Sequence, residues 1–363
     1  MSKDGSSSST MNAIQVHDFI DLYGLGDEKI AETSLSMNDA THKPISLKKN
    51  QLLVKVLACS ISPGDVIAVQ GNMLIMHQSF PFVPGMDICG TIVDHNGSTQ
   101  FQNGTVVVAS NGTTPVGGMA DYMIINEAEA VVKPPAVSNE EGASSSSAIT
   151  AHNAVMDYVK EGDRVLVLGG AGGVGSAAIQ IAKQHGKASL VAATSTQVEL
   201  CKELGADRAI DYRSEDWWAI EEFKKDKFDV IIDTVGGGNF YRRATQVLKT
   251  GKQGGRFVAV TGDNPRPDCR TVWKMIKFFA NLPCRPLYTK IKSGTYPKYI
   301  LLLPYGELDG RKQVLEWMQQ GSLKIRLDKG SPFPFTAEGV GNAFRKVGSG
   351  HAHGKVVVQI AKE

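Results

Sequence analysis

The chain has 363 residues, enough for two domains with separate cores. Hydrophobic residues make up 42%, charged residues 21%, and the formal net charge is +2, an ordinary globular composition. Such a near-neutral balance excludes the broad grip on phosphate backbones that nucleic-acid binders use, and no apolar run is long enough for an integral membrane segment.

Residues 1–10, "MSKDGSSSST", read as a disordered polar tail, with the fold starting at Met11. This end lacks the apolar core of a secretory signal and the arginines of a mitochondrial presequence. Cys59, Cys89, Cys201, Cys269 and Cys284 are scattered and form no C-x-x-C, which points to a reduced, cytoplasmic protein. Residues 12 to 140 hold short strand-like runs split by turn residues, among them "QLLVKVLACSIS", "GTIVDHNG", "TVVVASNG" and "ADYMIIN". They predict a mostly-β domain.

The pattern then changes. "SSSS" at residues 144–147 leads into "AITAHNAVMDYV" at helical spacing, which predicts a helix opened by small side chains for close packing. From Arg164, strands alternate with helices: "RVLVLG", "GSAAIQIAKQHG", "SLVAAT", "QVELCKELGA", "RAIDY", "DWWAIEEFKK", "FDVIIDT", "FYRRATQVLK", "RFVAVTG". Apolar strands in such an alternation predict a doubly wound parallel sheet, an α/β fold. Residues 264–300 form an Arg-, Lys- and Pro-rich insert around "VWKMIKFF". It reads as a helix packed on the domain with a solvated basic side, as a substrate lid, or as a membrane-surface helix. "YILLLPYGEL" and "GRKQVLEWMQQG" predict a further strand and helix, and the tail ending in "GKVVVQI" predicts a turn, a helix and a strand returning to the first domain.

Gly170-Ala171-Gly172-Gly173-Val174-Gly175 is a complete G-x-G-x-x-G between a strand and a helix. The first glycine permits the tight turn, the second lets a pyrophosphate approach the backbone, and the third lets helix and strand lie close. The helix start then offers free N–H groups to phosphates. At the end of the next strand, where an NAD site places a carboxylate on the ribose, the chain reads "AATST". Neutral hydroxyls there favour a 2′-phosphate and hence NADPH, with Tyr212 and Arg213 of "IDYR" placed to flank it.

Together with "SPGDVIAVQGN", "FPFVPGMDICGTI", "GGMADYMII" and "GHAHGKVVV", these motifs resemble the zinc-independent, quinone-oxidoreductase-like branch of the medium-chain dehydrogenase/reductases, also called zeta-crystallin-like. The resemblance implies a GroES-like catalytic domain over residues 11–142, completed by 324–363, and a Rossmann cofactor domain over 143–323, with substrate in the cleft between them. It also implies that Gly172, Gly173, Val174 and Gly175 meet the pyrophosphate and that Thr194, Ser195 and Tyr212 meet the 2′-phosphate. Val235, Thr261 and Gly262 would lie on the nicotinamide side, with His353 and Lys355 near the cofactor. Relatives commonly pair through an edge strand, which makes "YILLLP" the candidate for a homodimer contact.

Aligned on the zinc alcohol dehydrogenases of the same superfamily, Ser62 stands at a Cys ligand's position and Met86 at a His ligand's. A hydroxyl and a thioether are poor zinc ligands. No cysteine occurs between Phe101 and Ala120, where a structural zinc lobe would fall, and His351 and His353 lack carboxylate or thiolate partners in sequence. The expectation is a metal-free site. Ile67 and Met73 replace tyrosines that related quinone and enoyl reductases carry; Ser62, Ile67, Met73 and Met86 are the candidate substrate pocket. Ser62 is the remaining catalytic candidate, with capping of the next helix through Ser-Pro as its alternative role.

Hydride addition to a ketone leaves an alkoxide whose conjugate acid has a pKa near ~16, whereas a quinone leaves a phenolate near ~10. The gap of roughly 6 units is about 8 kcal/mol. A site without Lewis acid or strong proton donor should therefore reduce quinones, then conjugated carbonyls, and not plain ketones. Three readings stand: an NADPH-dependent quinone reductase, a 2-alkenal or enone reductase, and a cofactor-binding regulatory scaffold.

Overall fold

A computed structural model of the chain describes residues 10–20, 22, 35–44, 46–72, 80–110, 117–266, 269, 271–281, 283–302 and 308–361. In chain order its elements begin with β1 (Thr10–Val16), β2 (Leu35–His42), β3 (Gln51–Ile61), α1 (Pro63–Val69) and β4 (Asp87–Asp94). Next come β5 (Val106–Ser110), β6 (Tyr122–Asn126), β7 (Ala130–Val132), α2 (Asn139–Ala143) and α3 (Ser145–Met156). The alternating region holds β8 (Arg164–Leu168), α4 (Gly173–Gln184), β9 (Leu190–Thr194), α5 (Val198–Glu203), β10 (Arg208–Ile210) and α6 (Glu221–Lys225). It continues with β11 (Val230–Asp233), α7 (Gly238–Ala244), β12 (Arg256–Ala259), α8 (Val272–Asn281), α9 (Cys284–Ile291), β13 (Lys298–Leu301) and α10 (Leu308–Gln319). The chain closes with β14 (Phe333–Pro334), α11 (Ala337–Gly348) and β15 (Val356–Gln359). Thr10 opens β1; residues 1–9 of the expected tail lie outside the described residues.

Two compact units result. One comprises Met1–Ser144, Lys329–Ala352 and Val356–Glu363; the other comprises Ser145–Asp328 with His353–Lys355. These limits depart from the expected 142 and 324. The N–H of Ser144 caps α2, donating to Glu140 O and Glu141 O. Further on, buried Gln180 of α4 clamps the backbone of Lys324: Nε2 donates to Lys324 O at 2.9 Å, and Lys324 N–H donates to Oε1 at 3.0 Å. One side chain thereby ties the approach to the returning segment to the second unit.

The first unit is built on a seven-stranded sheet, β14-β15-β3-β4-β5-β7, with β6 also paired to β3, beside the β1–β2 pair. "QLLVKVLACSI" is apolar almost throughout because β3 has neighbours on both edges and is buried nearly end to end. β15 runs antiparallel to β3, so the tail returns to this unit as expected.

In the second unit all six strands are parallel, in the order β10-β9-β8-β11-β12-β13. The chain winds outward from β8 through β9 and β10, then restarts at β11 and winds the other way. Ligands of such sheets bind where the winding reverses, outside the carboxyl ends of the strands. Ser145, Ser147 and Ala148 are buried at the start of α3, the close packing that small side chains predict.

One expectation fails here, and so does one of the three readings of the insert. "DWWAIEEFKK" is helical only over Glu221–Lys225, because Trp217 enters the core while Trp218 lies under Arg243, whose guanidinium carbon is 3.8 Å from the ring centroid. The insert is not a helix packed by its apolar side: no residue of α8 is buried, and Val272, Trp273, Ile276 and Phe279 are exposed. Among the described residues no helix is long and apolar enough to cross a membrane.

Candidate functional site

In the second unit, β8 ends at Leu168 and the chain turns through Gly169. The left-handed residue is Gly169 (φ +81°), not the motif's first glycine. A Cβ there would also lie 2.7 Å from Thr234 Oγ1. Gly170 is a packing glycine, since a Cβ would sit 2.9 Å from both Ala193 Cβ and Cys201 Sγ. At Gly175 a Cβ would fall 2.1 Å from Gly169 O, which is the close approach of helix to turn that the motif predicts.

Gly172 is the N-cap of α4. Among the described residues a Cβ on it would meet only Gly169 O, at 3.4 Å, so the approach to the first turn is open. The N–H groups of Gly173, Val174 and Gly175 begin the helix and have no acceptor within it. With the positive end of the helix dipole they form an anion cradle. Beside it lies buried Lys355: a Cβ on Gly173 would be 2.9 Å from Lys355 Cδ. The strip that brings this lysine in is hooked to the second unit by Lys355 N–H on Arg326 O (2.7 Å), Asp328 N–H on Lys355 O (2.8 Å) and His353 N–H on Asp328 Oδ2 (2.9 Å). Gly354 (φ +111°) permits that course, with Arg326 O where a Cβ would stand.

Thr194 and Ser195 are buried at the end of β9. Thr194 Oγ1 accepts from Gly169 N–H at 3.3 Å, and Ser195 Oγ accepts from Gln197 N–H at 2.9 Å. Tyr212 is half exposed. Arg213 grips Asp211 through Nε at 3.0 Å and Nη2 at 2.6 Å, and this guanidinium holds the Asp211 carboxyl down at about 2.

At the ends of β11 and β12, Val235, Thr261 and Gly262 come together. Gly237 N–H donates to Gly262 O at 3.0 Å, and a Cβ on Gly236 would press on Thr261 Oγ1. That Oγ1 is buried and has no hydrogen-bond partner among the described residues, as expected of a group awaiting a ligand. Asp233, overlooked in the sequence, shapes this turn by accepting from Val235 N–H (3.0 Å) and Gly236 N–H (2.9 Å). Burial pushes its carboxyl up to about 6. The open cradle, the lysine beside it and the orphaned hydroxyl fit a dinucleotide.

In the first unit, Ser62 is the N-cap of α1 with Pro63 after it, as Ser-Pro predicts. The anchor is buried Asp65. Its Oδ2 accepts from Ser62 N–H (2.8 Å) and Ser62 Oγ–H (2.7 Å), and its Oδ1 accepts from Met86 N–H (3.0 Å). One carboxylate therefore joins the two segments carrying Ser62 and Met86, and a Cβ on Gly64 would touch both side chains. Ile67 is half-buried on α1; Met73 lies outside the described residues. The S-x-x-D spacing of a capping box was the available signal for Asp65. A serine hydroxyl engaged by aspartate and a thioether do not fit zinc. Among the described residues no three His, Cys, Asp or Glu side chains lie close enough to share a metal ion.

Residues 48–137 match the alcohol dehydrogenase GroES-like domain, and residues 204–358 match a family described as zinc-binding dehydrogenase. The 2-methylene-furan-3-one reductase of Solanum lycopersicum is 32% identical, over 93% of this chain and 76% of the relative. The chloroplastic NADPH-dependent alkenal/one oxidoreductase of Arabidopsis thaliana is 31% identical, over 86% and 72%. Among solved structures, the quinone oxidoreductase of Coxiella burnetii superposes with a TM-score of 0.75 at 25% identity, over 97% of this chain and all of that one. The Escherichia coli quinone oxidoreductase complexed with NADPH gives 0.73 at 19% identity, over 96% and 99%, a likeness of fold. With these relatives and this donor set, the chain belongs to the zinc-independent, quinone-oxidoreductase-like branch of the medium-chain dehydrogenase/reductases.

Proposed function

We propose that the protein is a metal-free reductase that uses NADPH to reduce quinones or conjugated carbonyl compounds. The observation that carries this reading is the open first turn of α4 with Lys355 beside it, at the point where the sheet's winding reverses. NADPH supplies a hydride when bound, and water can supply the proton that completes a hydroquinone or a saturated carbonyl. Gly173, Val174 and Gly175 donate N–H groups to the pyrophosphate, and Lys355 balances its charge. Thr194, Ser195 and Tyr212 receive the 2′-phosphate end, while Val235, Thr261 and Gly262 hold the nicotinamide side. Ser62, Ile67 and Met86 line the acceptor pocket. Asp65 already engages the Ser62 proton, so Ser62 is no proton donor to the acceptor and serves as part of the pocket wall.

An acceptor able to stabilise its own negative charge suits this donor set. Quinones and enones both meet that condition, and the names of the tomato and Arabidopsis relatives favour the enone side. Cys59, Cys89, Cys201 and Cys269 are buried and in no disulfide among the described residues, which suits a cytoplasmic setting. Edge strand β13 is the proposed homodimer contact.

The test follows NADPH absorbance with 1,4-benzoquinone, a 2-alkenal or a simple ketone, repeated with NADH. We expect turnover with the first two and with NADPH. Turnover on the ketone alone overturns the charge argument, a preference for NADH overturns the cofactor, and binding without turnover makes the protein a scaffold.

A further inference from the structure

Helices α8 and α9 present the reverse of the usual amphipathic arrangement. Val272, Trp273, Ile276 and Phe279 fall on one stripe of α8 at i, i+1, i+4 and i+7, and all are exposed, Trp273 by 79%. On α9, Leu287, Tyr288 and Ile291 repeat the pattern, Ile291 at 71%. Seven of the fourteen exposed large hydrophobic residues of the described chain lie within these 20 residues. The other flank of α8 turns inward, where Lys274, Lys277 and Phe278 line a cavity of about 340 Å³ with Gly262, Tyr299 and Leu301.

Charge is concentrated on the same segment. Residues 264–300 hold eight Lys or Arg and one acid, Asp268, so about a tenth of the chain carries +7 against +2 for the whole. A symmetric contact between two copies through α8 and α9 would set this charge against itself. Apolar stripes containing Trp and Tyr, flanked by Lys and Arg, match the chemistry of an anionic bilayer surface instead.

We propose that α8 and α9 form a docking surface that seats the protein on anionic membranes, the apolar stripes entering the headgroup layer and Lys290 and Lys292 meeting lipid phosphates. This inference does not depend on the reductase reading.

Co-sedimentation with vesicles of phosphatidylcholine, alone or mixed with phosphatidylserine, tests it on the full chain. Each basic residue near an anionic surface is worth roughly fivefold in affinity. Binding should therefore require phosphatidylserine, and K290E/K292E should weaken it by at least ~20-fold. W273S/I276S should abolish binding to the phosphatidylserine vesicles. Unfolding midpoints and NADPH–benzoquinone turnover without vesicles check that both variants are folded and report on the reductase reading separately. Lipid-independent pelleting, or pelleting that neither variant changes, overturns the proposal. So does sedimentation velocity showing a dimer that W273S/I276S dissociates, since the patch would then be a contact between copies.

Discussion

Two corners lead from a strand into a helix, and they treat the helix N-terminus in opposite ways. At Ser62 the first unit closes its corner with its own carboxylate: Asp65 takes both donors of Ser62 and the N–H of Met86. At Gly172 the second unit leaves the corner open, with glycines where side chains would intrude and Lys355 alongside. A capped corner fixes the segments it joins; an uncapped one keeps its N–H groups for a ligand. On the proposed function, the difference gives positioning to one corner and phosphate binding to the other.

The comparison breaks most visibly at Gly175. Gly175→Val puts a branched side chain where Gly169 O already lies. It should cost about 3 kcal/mol of stability and at least ~100-fold in NADPH affinity. Denaturant unfolding and fluorescence titration read the two effects, and a variant normal in both would mean the corner is not packed this way.

Asp65→Ala leaves three donors unanswered, so about 3 kcal/mol of stability should be lost while NADPH affinity changes by less than about twofold. A large change in affinity would erase the distinction between the corners.

Asp233 sharpens it through pH. Because burial raises its carboxyl to about 6, the folded state favours the protonated form. That stabilisation is complete below the unfolded value near ~4 and is lost as pH rises through ~6. Asp233→Asn should gain on the wild type across this window, by about 3 kcal/mol at most. Parallel stability curves between pH 4 and pH 7 would refute the assignment.

The smallest effect belongs to Lys355→Met, which keeps the stem over Gly173. NADPH should bind about tenfold more weakly and with less salt dependence. Unaltered affinity would remove Lys355 from the cradle.

Much of this was legible in the residues. The alternation after Arg164 and the glycine motif sufficed for a parallel sheet with a glycine turn opening a helix, because period and backbone freedom are local properties. Ser62 and Met86 were readable as poor metal ligands from donor chemistry alone. "DWWAIEEFKK" is helical over less of its length than its spacing predicts because burial of Trp217 outweighs local helical spacing, and the insert admits three readings because spacing shows an apolar stripe but not which way it faces.

Only the tertiary structure decided that Lys355 reaches Gly173, since 182 positions along the chain separate them and the hooks on Arg326 and Asp328 set the path. It also decided that Gly169 carries the turn and Gly170 the packing, a matter of backbone angle and neighbours. The sequence by itself determined which chemistry the chain can offer, because side-chain type is written there; folding determined which groups meet, because contacts between distant residues depend on the whole path of the chain.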